Sequence, residues 1–377
     1  MTASLKDALL IAKTGLDKRL VSSEAISQIS QVADLLPTFP TTSQAGLECH
    51  LDSSEPKADF FAAFSTSNGG REALARGYPP LADLNDSSVW NRVYDFCEHW
   101  TQTNSPLYQE VDRVWLEFDL VKPQSSKTPE PNFFFGPTKG IKNKTNNSDS
   151  PNQAAKNYSW ITDEALGLLL NKSLPNLVKQ NLLTCFNCLP PEASVFQIGI
   201  MLPRKAESQT VRVCINNIAL SEIPQYLNAI GWQGSSAKLK SILTDLSHFT
   251  NYVCLNFAVG DTVHSKVGFE CYIDKKPRIN PKWRSFFDYL VEQQLCTLEK
   301  ADALLNYPGL STEKSHQNLW PSNLSDAAKL VRPDLVSTFV RILHHIKIVY
   351  QPGKPLQAKA YLWLGHLWLS GQGVFES

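Results

Sequence analysis

Glu48 and His50 stand two residues apart in the run Leu47-Glu48-Cys49-His50-Leu51-Asp52. In an extended strand that spacing puts both on one face, with Leu47, Cys49 and Leu51 on the other. A carboxylate beside an imidazole on a polar face is suitable material for taking a proton from a reacting group. Farther along, single cations occupy the polar faces of other alternating runs: Arg212, Lys266, Lys347 and Lys359. Enclosed in a water-poor site, such cations stabilise negative charge far better than they do in bulk water. Trp115, Tyr272, Tyr361 and Trp363 also stand on polar faces, and aromatic rings favour positive charge over their faces. Each residue has a plainer use taken singly. A strand lysine is usually solvated, a large aromatic usually fills a core, and a histidine is usually a hydrogen-bonded structural group. The set, repeated on strand after strand, is what points to a site.

The elements that must position this set read as five strand pairs. The pairs are 46–52 with 58–64, 111–120 with 132–135, 195–202 with 210–216, 252–259 with 266–273, and 345–350 with 356–364. Turn-forming Ser53-Ser54-Glu55-Pro56, Gly260-Asp261 and Pro352-Gly353 join three of them. Between the pairs lie helical patterns. Val89, Val93, Cys97 and Trp100 recur at helical spacing, and Thr162 is expected to cap a helix with Ala165, Leu168 and Leu169 on its inner face. Ser221 and Gly231 bracket a short helix, and Leu239, Ile242, Leu243 and Leu246 mark another. Pro281 and Pro333 predict helix starts ahead of 286–290 and 335–343. Residues 5–35 are also expected to be helical.

Helices between strand pairs cover the apolar face of a sheet, so the polar face turns to solvent or to the inside of a closed barrel. A solvated face would be rich in Lys, Thr and Ser. Here it carries aromatics, carboxylates and isolated cations, which favours a lumen, and ten strands enclose ample room for a ligand. The expected fold class is therefore α/β: an antiparallel ten-stranded β-barrel with a polar lumen, surrounded by helices in αββα repeats. One domain spans 1–377, with a flexible Asn-, Ser-, Lys- and Pro-rich insertion at about 122–156.

Composition narrows the partners. Lys+Arg and Asp+Glu both total 36, giving a formal net charge of zero, and no basic stripe stands out, so nucleic acid is excluded as an expected partner. No apolar run approaches a membrane span and no signal sequence opens the chain, which predicts a cytoplasmic protein without a membrane partner. Eight cysteines at irregular spacing suit buried thiols of a reduced protein. Cys185-Phe186-Asn187-Cys188 lacks the second pair that a four-thiolate metal site needs, so it reads as structural.

Strand pairs separated by helices and repeated five times resemble the ABBA, or PT-barrel, prenyltransferases, including the indole (dimethylallyltryptophan synthase-like) and cyanobactin-type peptide enzymes. The local likeness is strongest in 47–52 running into 57–64, with basic-x-aromatic patterns at Lys359-Ala360-Tyr361 and at Lys266 with Tyr272. The resemblance implies a transferase of secondary metabolism that moves an isoprenyl group from an allylic diphosphate to an aromatic or heteroatom nucleophile. The acceptor would be a peptide or a small molecule. Glu48 matches the catalytic glutamate of such enzymes. Arg212, Lys266, Lys347, Lys359, Tyr272 and Tyr361 would hold the diphosphate, while Trp115, Trp363 and His50 would shield the cation and line the acceptor site. Prenyl diphosphate is the implied co-substrate. Magnesium is compatible with the chemistry, but the aspartate-rich motif of chain-elongating enzymes is absent. The chain departs from the pattern at Asp59, where a basic diphosphate ligand is expected and for which Lys57 would have to substitute. The competing expectation is a non-catalytic protein that binds a peptide or partner on the polar face of the sheet.

Overall fold

In the computed structural model, residues 4–36, 42–76, 88–120, 128–143, 157–204, 210–273, 280–330 and 334–371 are described. The strands are β1 (Thr42–His50), β2 (Ala58–Ser65), β3 (Val111–Phe118), β4 (Asn132–Pro137), β5 (Ser194–Ile200) and β6 (Val211–Ala219). They continue with β7 (Tyr252–Val259), β8 (Val263–Cys271), β9 (Gly309–Thr312), β10 (Leu335–Tyr350) and β11 (Gln357–Ser370). Each strand pairs antiparallel with its neighbour from β1 to β8, then β8 with β10, β10 with β11, and β11 with β1. That last pairing closes a ten-stranded barrel, with β9 attached outside the ring to β10.

Period-2 alternation decides what faces where. Leu47, Ala62, Leu116, Phe135, Ile198, Val213, Leu255, Phe269, Ile346 and Leu362 all point outward and are buried beneath the helices. The helix Ser88–Thr101 shows how tightly these layers dock. Its Trp90 and Trp100 are wholly buried, and their indole N–H groups donate to the Pro129 carbonyl at 3.0 Å and the Val111 carbonyl at 2.8 Å. An indole buried in this way needs such an acceptor to offset its lost hydration. The helix Pro281–Glu292 begins with its proline at the first position, as expected, and buries Trp283, Phe286 and Phe287. Gly231, at φ 76°, ends the short helix Ile223–Ala229 in the left-handed region where a side chain would be strained.

Two expectations change. Residues 335–343, read as helical, form the first half of the 16-residue β10. Val336, Thr338, Val340 and Ile342 are β-branched at every second position, and the segment pairs with Leu362–Ser370 of β11 and with β9. That pairing outweighs the helix-start signal at Pro333, which lies outside the described residues. Thr162 lies within a π-helical turn, Trp160–Ala165, instead of capping a helix. Strand β4 forms over the expected 132–135, within the stretch read as an insertion, of which residues 122–127 and 144–156 lie outside the described residues. No described helix is long and apolar enough to cross a membrane.

Candidate active site

The inner face of the barrel encloses a cavity of about 1100 Å³, and all ten residues singled out from sequence line it: Glu48, His50, Trp115, Arg212, Lys266, Tyr272, Lys347, Lys359, Tyr361 and Trp363. Lys57 does not; it pairs with Glu55 at the surface. Asp59 faces the lumen in its place.

Glu48 stands directly opposite Tyr361 of β11 and Asp59 of β2. Its two carboxylate oxygens accept from the Lys359 ammonium and the Tyr361 hydroxyl. Burial pushes the Glu48 carboxyl up, but Lys359, Lys347 and His50 outweigh burial and hold it down at about 2. It is therefore a carboxylate throughout the neutral range. The hairpin that carries it is pinned from outside. Lys300, buried in the helix Leu298–Leu305, donates to the His50 and Glu55 carbonyls, both at 2.6 Å.

A second cluster is centred on Glu270 of β8. Lys347 lies 3.2 Å from one carboxylate oxygen, Tyr272 donates to the other at 3.0 Å, and the His345 ring lies 3.7 Å away. Burial disfavours the Lys347 charge, yet Glu270 beside it wins and raises the ammonium above its usual value. Burial and then Glu270 push the Tyr272 hydroxyl well up, so it remains a neutral donor. His345 stacks on Tyr361 with ring centroids 4.1 Å apart, which joins the Glu270 cluster to the Glu48 cluster.

Close backbone approach lets the large side chains lie flat. A Cβ on Gly136 would meet the Trp115 ring at 2.9 Å, and one on Gly268 would meet the Lys347 side chain at 2.8 Å. Trp115 meets Phe196 edge-on at 6.3 Å.

Sequence reasoning left several lumen residues without a role. Asp119 of the segment after β3 accepts two hydrogen bonds from Arg204, both at 2.6 Å. Asp59 accepts from the Leu120 N–H at 2.8 Å and contacts His50 at 3.4 Å. Glu117 and Glu270 lie on polar faces already identified, so their period was legible and only their role went unremarked. Phe196 and His344 reach the lumen through register shifts in β5 and β10, which strict alternation does not anticipate. Glu48, His50 and Asp59 bring ligand atoms within 4.8 Å of one another, a donor set able to hold a divalent cation. Because Lys359 and Tyr361 occupy the Glu48 oxygens, such an ion would have to displace them.

Arg212 and Glu117 face the lumen without a hydrogen-bond or ion-pair partner among the described residues. The arrangement offers an ionised base, fixed cations and aromatic walls inside one enclosed space. That combination can bind an anion and shield a carbocation.

No family model and no curated protein matches the sequence. Solved structures match in fold. The prenyltransferase PriB, in a ternary complex with L-tryptophan and dimethylallyl thiolodiphosphate, aligns with TM-score 0.50 and 12% identity, over 98% of this chain and 97% of that one. A 6-dimethylallyl tryptophan synthase aligns with TM-score 0.51 and 12% identity, over 96% of each chain. AnaPT from Neosartorya fischeri gives 0.51 and 13%, over 98% of this chain and 93% of that one. Across nearly its whole length, the chain has the ABBA, or PT-barrel, fold of these prenyltransferases.

Proposed function

We propose that the protein is a prenyltransferase that moves an isoprenyl group from an allylic diphosphate to an aromatic or heteroatom nucleophile of a peptide or small molecule held in the lumen. The observation that carries this reading is Glu48, ionised and fixed by Lys359 and Tyr361 inside a closed, aromatic-walled barrel. The solved structures of similar fold support it, since one holds L-tryptophan and a dimethylallyl thiolodiphosphate.

Arg212 is the first contact for the diphosphate, because its guanidinium has no carboxylate among the described residues to leave. Lys266, Lys347 and Lys359 add positive field, with Tyr272 and Tyr361 as neutral donors. As the carbon–oxygen bond breaks, its electron pair leaves with the diphosphate. Tyr361, Trp115 and Trp363 then flank the allyl cation while the nucleophile's electron pair forms the new bond at carbon. The proton released from the acceptor passes to Glu48. An arenium or alkylated ammonium is a strong acid, so a carboxylate held at about 2 suffices as its base. His50 is held by Asp59 beside the acceptor's path.

Magnesium fits the Glu48, His50 and Asp59 donors only after Lys359 and Tyr361 leave the Glu48 oxygens, so this reading gives the diphosphate to protein cations. Turnover in excess EDTA checks that point. The reading also places the enzyme in the cytoplasm and in secondary metabolism.

The direct test is calorimetry with dimethylallyl and geranyl diphosphates on wild type and on the Lys266→Ala, Lys359→Ala double variant, followed by an acceptor screen by mass spectrometry. Binding that is lost in the variant is expected. An absence of binding to either diphosphate would move the assignment to a partner-binding barrel.

A further inference from the structure

The register shift in β10 sets two histidines side by side. Leu343 pairs with Leu362 and His345 with Tyr361, so His344 is the extra residue of the strand, and its ring lines the lumen. The Nδ1 atoms of His344 and His345 lie 2.8 Å apart, a hydrogen bond in which one ring must donate and the other accept. Tyr272 packs on both rings, edge-on to His344 at 5.5 Å and tilted to His345 at 4.8 Å. The other ring nitrogen of the buried His345, Nε2, lies 3.7 Å from a Glu270 oxygen.

That last contact gives the pair a direction. A carboxylate at this distance favours an N–H over a lone pair, so a neutral His345 carries its proton on Nε2 and accepts at Nδ1. His344 must then donate from Nδ1, which leaves its own Nε2 as a bare, basic nitrogen. A carboxylate that orients an imidazole, which in turn fixes the group facing the substrate, is the arrangement that activates a general base. Prenyl transfer through Glu48 leaves this nitrogen unused. Glu48, held at about 2, takes a proton only from a strong acid, such as the arenium formed once the carbon bond exists. It does not draw off an O–H or N–H proton while the bond is still forming. An imidazole, the side chain whose ordinary titration lies nearest neutrality, suits that task.

From this geometry we infer that His344 is a second base of the lumen, serving acceptors that react through a phenol or a comparable ionisable O–H or N–H, with His345 and Glu270 as its positioning residues. The inference rests on the prenyl-transfer reading for its acceptor, whereas the directed histidine pair does not depend on it. As the new bond forms, the acceptor's proton moves to His344 Nε2 and the electron pair stays with the nucleophile. The Nδ1 proton of His344 then passes to His345 Nδ1, which places the positive charge beside Glu270 and away from the allyl cation. The pair is surrounded by Glu270, Tyr272 and Lys347, and by Tyr361, Lys359 and Glu48 across the seam to β11 and β1. Histidine titrates between about pH 5 and 8. Tyr272 titrates well above that interval, Lys347 above it, and Glu48 below it at about 2. Glu117, at about 8, shapes the alkaline side alone.

The experiment has two arms. Nitrogen-15 NMR of histidine-labelled protein at pH 7.5, with His344→Gln and His345→Gln to assign the signals, reads the tautomers. We expect His344 to be protonated on Nδ1 and bare on Nε2, and Glu270→Gln to abolish that preference. In the second arm, turnover with dimethylallyl diphosphate is measured on 2-naphthol, which has an O–H, and on 1-methylindole, which has no ionisable proton until its carbon bond has formed. Far-UV circular dichroism and the unfolding midpoint establish that each variant is folded. His344→Gln should slow 2-naphthol about 10²-fold or more, and at least about tenfold more than it slows 1-methylindole. Added imidazole should restore part of the lost rate. On 2-naphthol the wild-type rate should fall as pH drops from about 8 to 5, because a protonated His344 is no longer a base, and His344→Gln should lack that limb. A His344 protonated on Nε2, equal losses on the two acceptors, or binding of dimethylallyl thiolodiphosphate without turnover of 2-naphthol overturns the inference. The expected tautomers with no binding of the thiolodiphosphate uphold the directed pair and sink the prenyl-transfer reading instead.

Discussion

At the scale of the residue, the chemistry rests on charges whose state is set by one another. Glu48→Gln removes the proton acceptor while keeping the shape, so turnover should fall about 10²- to 10⁴-fold. Donor affinity should change little. Steady-state rates beside calorimetry with dimethylallyl thiolodiphosphate separate the two effects. The Glu270 cluster answers a different question. Lys347→Met leaves Glu270 enclosed beside Tyr272 and His345 without its cation, and breaking a buried pair in this way costs about 3–5 kcal/mol. Chemical denaturation should show that loss, and a Lys347→Met, Glu270→Gln double variant should recover most of it.

At the scale of the element, the seam between β1 and β11 carries the base, and Gly46 is where it is tightest. A Cβ there would come 2.1 Å from the Leu362 carbonyl oxygen and 2.7 Å from the Phe61 ring. Gly46→Ala should therefore destabilise the barrel by about 1–3 kcal/mol, read from the unfolding midpoint in denaturant, because a backbone oxygen cannot swing aside as a side chain can. This seam also shows what was legible in the sequence. The alternation of Glu48 and His50 against Leu47 and Cys49 is a local property, and it correctly put both polar residues on the inner face. That Lys359 and Tyr361 would engage Glu48, from more than three hundred residues away, depends on which strand closes the ring, and no local pattern encodes that. The first half of β10 failed for the same reason, since its state is set by partners in β9 and β11. Phe196 and His344 were lost to register shifts, each of which brings in one residue that a period of two assigns to the other side.

At the scale of the whole molecule, the lumen gathers charges whose states depend on one another, and that coupling should appear in stability. Glu117 is raised to about 8 in the folded chain, against about 4.5 when unfolded. Between those values the unfolded chain has released this proton and the folded chain still holds it, so the contribution to stability is full below about 4.5 and is lost as pH rises towards 8. Glu48 has the opposite sign. Its carboxyl is held at about 2, so its contribution is present above 4.5 and lost as pH falls towards 2. Glu117→Gln should accordingly stabilise the protein more at pH 8.5 than at pH 5, by on the order of 1 kcal/mol or more. Denaturant titrations at the two values measure this. The thiols provide an independent check of the compartment's outer layers. All eight cysteines are unbridged and only Cys188 is not buried, so a brief thiol-labelling pulse should modify Cys188 alone.

The pairing of β1 with β11 also sets a timetable. A ribosome releases the strand bearing Glu48 some three hundred residues before the strand bearing Lys359 and Tyr361. Until the later strand arrives, the carboxylate has neither its ammonium nor its phenol, and the half-built ring exposes two unpaired edges. Contacts this distant in sequence form slowly. A nascent chain of this kind would need its open edges guarded while it waits, and it would acquire its base, its enclosure and its exclusion of water together, in the single event that joins its earliest strand to its last.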